Sequence, residues 1–165
     1  MSTTADLMAA IETILLTTKD ASDADYFINT AAVKAVAMGD YQMLDKGVNY
    51  AAVLLPGKFG EEQAGSYYDA FNDDVLIDLF ARYSDSAGTN WDNFTAFREA
   101  VRLKLSIYPT LNGVEGVTRV AVTADEDPGA IVKGKNPEAS PIFILQRLRV
   151  AISHRVALSS GEYTP

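Results

Sequence analysis

The sequence predicts an α+β fold: a mainly antiparallel sheet of about five strands with two amphipathic helices packed on one face. Two segments repeat apolar residues at the spacing of three and four that marks one face of a helix. Other segments alternate apolar and polar residues, as strands with one buried face do. Two helices on one face of the sheet satisfy the order helix, strands, helix, strands.

Each predicted helix begins at a capping box, a Ser or Thr followed three residues later by an acidic or amide side chain. Thr3 with Asp6 starts the first helix, which we expect to end near Thr17 or Thr18. Thr89 with Asp92 starts the second helix. Pro109 ends it, because proline cannot continue a helix. The predicted apolar faces are Leu7, Met8, Ile11, Ile14 and Leu15 in the first helix, and Trp91, Phe94, Phe97, Val101, Leu105 and Tyr108 in the second. Arg98, Glu99, Arg102 and Lys104 are predicted to lie mostly on the solvent side.

Five segments are predicted as strands because they are short, apolar or alternating, and bounded by turn residues. They are a short strand near Val33–Met38 and the segments Asn49–Leu55, Tyr67–Tyr83, Val117–Ala124 and Ile142–Leu158. The first lies within residues 20–48, whose pattern fits a strand or a short helix and leaves the structure there open.

The length of 165 residues predicts a single domain, 1–165, large enough to bury roughly 70% of its unfolded surface. Long loops are predicted at about 57–66 and 125–141, and a short C-terminal tail at 159–165. A 17-residue connection such as 125–141 is unusual inside a compact domain and is often functional.

The composition excludes several kinds of function. The chain has no cysteine, which excludes disulfides, thiolate metal sites and cysteine catalysis. No apolar run approaches the ~20 residues of a membrane span, and the first residues lack a signal-peptide pattern, so we expect a soluble, non-secreted protein. Nucleophile-elbow, phosphate-loop and dinucleotide-binding motifs do not occur in the sequence. We therefore predict no enzyme activity, no cofactor and no metal.

Two remaining features bear on catalysis, the single histidine and the acidic clusters. His154 falls in an alternating strand, where a histidine is most often a core or interface residue with a satisfied hydrogen bond. Asp73, Asp74 and Asp78 lie close together in sequence, and residues 125–127 are all acidic. Adjacent acids suit a hard cation, but neither group has the spacing of a calcium loop. We interpret both as solvated acidic loops.

Charge is unevenly distributed along the chain. The net charge of −8 argues against general nucleic-acid binding, which needs a basic surface. Residues 1–92 contain 5 basic and 15 acidic side chains, whereas residues 93–165 contain 9 basic and 7 acidic ones. Such a chain suits stacking of copies through unlike surfaces, although patchy charge that serves solubility explains the same counts.

The last strand carries Arg147, Arg149, Ser153 and Arg155 on its polar face. Three arginines on one strand face suit a negatively charged lumen, an acidic neighbour across an interface, or an edge kept soluble. The sequence leaves these alternatives open.

The element order resembles that of the tail-terminator (tail-completion) proteins of long-tailed bacteriophages and related phage-like particles. The resemblance covers most of the chain and rests on order and local pattern, without a diagnostic motif. Besides the N-terminal helix, the segments that carry the resemblance are residues 50–57 (YAAVLLPG), 74–82 (DVLIDLFAR), 91–105 (WDNFTAFREAVRLKL), 113–122 (GVEGVTRVAV) and 143–152 (FILQRLRVAI).

This resemblance implies a structural virion protein of the tail or neck, assembled in the host cytoplasm. Such a protein caps the finished tail tube as a ring, commonly of six copies, stops tube growth and joins the tail to the head-side connector. Its implied partners are itself, the tail tube protein and the head–tail connector, with DNA only passing through the channel and no membrane.

From charge and loop position we predict three groups of interface residues. Lys133 and Lys135 would meet an acidic patch on a neighbour or on the tube, and Glu61 and Glu62 would meet the opposite partner. Arg147, Arg149 and Arg155 would face the interface or the lumen. The alternatives are another neck component, such as a head-closure or adaptor protein, and a small non-catalytic binding module.

Overall fold

A computed structural model of the chain describes residues 3–16, 31–35, 50–58, 63–64, 68–83, 89–124, 130–133 and 142–157. Within these residues there are two helices and seven strands in one sheet.

Both helices lie where the apolar spacing predicts them. Helix α1 spans Thr4–Leu16 and helix α2 spans Thr89–Ser106. The capping box of α1 is confirmed: the Thr3 N–H donates to Asp6 Oδ2 at 2.7 Å, and the Asp6 N–H donates to Thr3 Oγ1 at 3.3 Å. Beyond α2 the chain turns through Leu111, Asn112 and Gly113, all with positive φ.

The strands, in chain order, are β1 Ala31–Ala35, β2 Tyr50–Pro56, β3 Gln63–Ala64, β4 Tyr68–Arg82, β5 Val117–Ala124, β6 Ala130–Lys133 and β7 Ile142–Ala157. The sheet order is β1-β2-β4-β7-β5, with β3 paired to β4 and β6 paired to β7. The two longest strands, β4 and β7, form the antiparallel centre and pair from Tyr68↔Ala157 to Arg82↔Phe143.

The predicted fold class is confirmed as α+β, and the main path of the sheet contains four antiparallel strands, β2, β4, β7 and β5; the short β3 and β6 pair antiparallel off this path. Four is one fewer than the five predicted, because β1 joins β2 in parallel. The strand β1 also lies earlier in the chain than the predicted 33–38. The two predicted loops contain short strands, β3 within 57–66 and β6 within 125–141.

One face of the sheet carries both helices and the main apolar core. Val75, Ile77 and Leu79 of β4 are completely buried there, as are Leu148, Val150 and Ile152 of β7. The same cluster contains the predicted apolar residues of α1 and, from α2, Phe94, Phe97, Val101 and Leu105. Two of the predicted side-chain positions on α2 are wrong: Trp91 is 41% exposed, and Lys104 is buried. We call this side the helix face.

The opposite side of the sheet is divided into two parts. Around β2 and the adjoining ends of β4 and β7 lies a smaller apolar cluster, Ala51, Val53, Leu55, Phe80 and Phe143. In it the Phe80 and Phe143 rings meet edge to face, with centroids 6.2 Å apart. Farther along β4 and β7, the side chains on this face are mostly charged or polar, with Leu76 and Ala151 between them. This charged part carries the predicted arginines.

Candidate functional site: the arginine face

Strand alternation puts Arg147, Arg149 and Arg155 together on the side of the sheet opposite the helices. Their neighbours along β7, Leu148 and His154, are buried on the helix face. Successive side chains of a strand point to opposite faces, so the buried positions fix the direction of the arginines. We call this surface the arginine face; it comprises Asn72, Asp74 and Asp78 of β4, Arg119 of β5, and Arg147, Arg149, Ser153 and Arg155 of β7.

The first arginine forms a two-point ion pair with a buried carboxylate. Arg147 stands directly opposite Asp78 in the β4–β7 ladder. Arg147 Nε donates to Asp78 Oδ1 at 2.6 Å, and Nη2 donates to Oδ2 at 2.9 Å. The Asp78 side chain is 1% exposed, whereas that of Arg147 is 40% exposed. The guanidinium therefore bridges a buried anion to solvent, and its fixed geometry suits a planar carboxylate.

The second arginine pairs diagonally across the same two strands. Arg149 Nε and Nη2 both reach Asp74 Oδ2, at 2.8 and 2.6 Å. The Asp74 backbone is held on its other side by Gly57, whose N–H donates to the Asp74 carbonyl at 2.8 Å. A Cβ at Gly57 would lie 2.6 Å from that carbonyl oxygen, so only glycine permits this approach without movement.

The polar ladder continues beyond these pairs with Asn72 and Ser153. Ser153 Oγ donates to Asn72 Oδ1 at 2.8 Å. Arg155 lies two positions farther along β7 and is paired in register with Ala70. An alanine offers no side-chain acceptor to a guanidinium. The Arg155 side chain is exposed. Within the described part of the chain, no carboxylate lies within ion-pair distance of its guanidinium.

Arg119 belongs to the same surface, although the sequence analysis did not select it. It is paired in register with Ser153, across the β5–β7 ladder, and is therefore a diagonal neighbour of Arg155. Val120 and Val122 pack towards the helix-face core, so the alternation of β5 turns Arg119 the other way. The same alternation was visible in the sequence, but the pairing of β5 with β7 was not.

The single histidine lies on the opposite side, in the core. His154 is buried, and its Nε2 lies 3.0 Å from Asp73 Oδ2. The prediction of a core histidine with a satisfied hydrogen bond is confirmed. The interpretation of Asp73, Asp74 and Asp78 as solvated loop acids is wrong, because all three are buried in β4 and each has a basic partner on β7.

The remaining predicted interface residues are only partly placed. Lys133 is the last residue of β6, where its backbone pairs with Ile142, rather than a loop residue. Glu61, Glu62, Lys135 and the acidic residues 125–127 lie outside the described residues. The structure thus brings the three predicted arginines together, and leaves their association with the predicted lysines and glutamates untested.

Among the described residues, no group of three or more histidine, aspartate or glutamate side chains is arranged to hold a metal ion. Neither α1 nor α2 is long and apolar enough to span a membrane.

Compared with models of known protein families and with curated protein sequences, the chain matches none.

Proposed function

We propose that this chain is a structural virion protein that caps a phage tail tube as a ring, ends tube growth and joins the tail to the head-side connector. The observation that carries the proposal is the order of the elements. Helix α1, strands β2 and β4, helix α2, and strands β5 and β7 occur at the positions on which the tail-terminator resemblance rests. Within the described residues, this order of elements supports the resemblance.

The charge of the subunit also supports assembly into a ring. A closed ring is built from heterologous contacts, in which one surface of a subunit meets a different surface of the next. The arginine face is a cationic surface on a chain of net charge −8. Such a subunit offers two unlike surfaces to its neighbours.

The proposal includes no catalytic step. The only histidine of the sequence is buried and bonded to Asp73, so its imidazole is directed into the core rather than towards a substrate. The ion pairs of the arginine face join particular positions of β4 and β7 and so help to specify the pairing of these two strands.

Two experiments on the full chain test the proposal. Light scattering over a wide concentration range, with negative-stain images of the same samples, should show closed rings with a central hole. Tubes assembled from the tail tube protein of the same genome should then acquire a cap at one end and stop growing.

A protein that neither caps tubes nor stops their growth would overturn the proposal. In that case, rings that bind the portal-side complex would identify another neck component, a head-closure or adaptor protein. A strict monomer without affinity for tubes would favour a small non-catalytic binding module.

A further inference from the structure

Two of the four arginines of the arginine face, Arg119 and Arg155, differ from the other two in their ion pairing. Arg147 and Arg149 are matched by Asp78 and Asp74. Among the described residues, no carboxylate forms an ion pair with Arg119 or Arg155, and both side chains are exposed. The four arginines and two aspartates described on this face therefore sum to a net charge of +2.

The rest of the chain has the opposite sign. Since the whole chain carries −8, the residues outside the arginine face carry a net charge of −10. A second copy therefore carries an excess of carboxylates outside its own arginine face. Complementary charge of this kind sets orientation and partner choice at an interface.

We infer that Arg119 and Arg155 form a docking surface for a carboxylate-bearing segment of a second copy of this chain. This inference rests on the proposed ring, which supplies the second copy. It goes further by naming the cationic side of the contact between subunits.

The geometry also restricts how two copies meet. If this surface lay on a two-fold axis and met itself, two copies would bring four guanidinium groups together, and like charges at an interface are strongly unfavourable. The arginines of one subunit therefore meet acids that lie elsewhere on the next subunit, and in the proposed ring this contact is heterologous. Heterologous contacts that close produce a ring.

Nucleic acid is the other polyanion that unmatched arginines could bind. A net charge of −8 repels a phosphate backbone at long range, and two unmatched arginines supply few phosphate contacts. Two copies of the chain repel each other in the same way, but a protein contact with two arginines needs only a few carboxylates, whereas binding along a duplex needs many phosphate contacts. The observations therefore favour a protein carboxylate.

Charge reversal with a matched control tests the inference in solution. Sedimentation of wild type should show self-association that weakens as salt rises, because exposed charge pairs are screened. The double variant Arg119→Glu, Arg155→Glu should associate at least about tenfold more weakly. The control Arg102→Glu changes an exposed arginine on α2, which pairs with Glu99, and should leave association unchanged.

Cross-linking identifies the partner directly. The variant Arg155→Lys keeps the positive charge and adds an amine that carbodiimide couples to a touching carboxylate. With equal amounts of ¹⁴N- and ¹⁵N-labelled copies, mass spectrometry should find Lys at position 155 joined to an acidic peptide of the other isotope. A cross-link only within one copy would overturn the inference.

The other outcomes separate the inference from the proposed function. Rings or capped tubes that form equally well with the double glutamate variant would overturn the inference and leave the ring function standing. A wild-type protein that stays monomeric at low salt and binds labelled duplex DNA through these arginines would overturn the inference in favour of a phosphate partner. Failure of wild type to cap tubes, with rings intact, would remove the cap function and leave the subunit contact supported.

Discussion

The two faces of the sheet are stabilised in different ways. The helix face is a continuous apolar core, in which β4 and β7 meet α1 and α2. The arginine face is held by two ion pairs whose carboxylates are buried and whose guanidiniums reach solvent. Apolar packing stabilises the fold in proportion to buried area, whereas the ion pairs require particular partners at particular positions.

This difference shows what each face specifies. A slip of one residue between β4 and β7 would move every arginine of β7 into the helix-face core. The pairs Arg147–Asp78 and Arg149–Asp74 form only in the observed register. The helix face therefore supplies most of the stability, and the arginine face helps to fix the pairing of the two central strands.

The largest effect is expected from a cavity on the helix face. Phe97 is completely buried, with its ring centroid 5.2 Å from that of Tyr50. Phe97→Ala should lower the free energy of unfolding by about 3–5 kcal/mol, because it removes apolar contacts and leaves a void. Urea unfolding followed by circular dichroism measures the loss. Leu103→Ala, on the exposed side of the same helix, is the control and should change stability by less than about 0.5 kcal/mol.

Breaking one ion pair of the arginine face should cost less, because the arginine is half exposed. Arg147→Met should lower the free energy of unfolding by about 1–3 kcal/mol, since the buried Asp78 carboxylate loses this cation. The double change Arg147→Met, Asp78→Leu should recover much of the loss, because an apolar pair removes the buried charge as well. If the double variant is no more stable than Arg147→Met alone, the loss does not come from leaving the Asp78 carboxylate buried without Arg147.

A backbone contact at the end of the arginine face supports a third comparison. Gly116 has φ +82°, and a Cβ there would lie 2.7 Å from the Arg155 carbonyl oxygen. Gly113 has a similar φ of +86° but open space around it. Gly113→Ala should cost about 1 kcal/mol from backbone strain, and Gly116→Ala about 1–2 kcal/mol more. Thermal unfolding of the two variants measures this difference. Equal losses of stability would mean that the Arg155 backbone moves away from the new Cβ at little cost.

The smallest effect is expected at the exposed start of α1, which covers the helix face. Hydrogen bonds from the Thr3 N–H and hydroxyl lower the pKa of Asp6 below its ordinary value of 3.8. Because the folded pKa is the lower one, this contribution is complete above the unfolded value and disappears as the pH falls through the folded value.

The difference in stability between wild type and Asp6→Ala should therefore be present at neutral pH and vanish in strong acid. Chemical unfolding at a series of pH values measures it. Glu12→Ala, an acidic residue of the same helix outside its capping box, should cost less at neutral pH. An Asp6→Ala difference that persists unchanged below both pKa values would contradict this account.

Local patterns in the sequence predicted the α+β class, both helices and the strands β2, β4, β5 and β7. The capping box at Thr3 and the apolar spacing of α1 act over three or four residues, so they are legible without the fold. The alternation in β7 likewise predicted that Arg147, Arg149 and Arg155 share one face, because side-chain direction follows from strand geometry alone.

Only the tertiary structure decided which strands became neighbours. Asp78 and Arg147 are 69 positions apart, and they meet because β4 and β7 pair across the connection that contains α2. The same pairing turned Asp73, Asp74 and Asp78 from apparent loop acids into buried partners of His154, Arg149 and Arg147. The pairing of β5 with β7 placed Arg119 beside Arg155. Sequence periodicity determines the face on which a side chain lies. The partner across the sheet depends on long-range register, which periodicity does not encode.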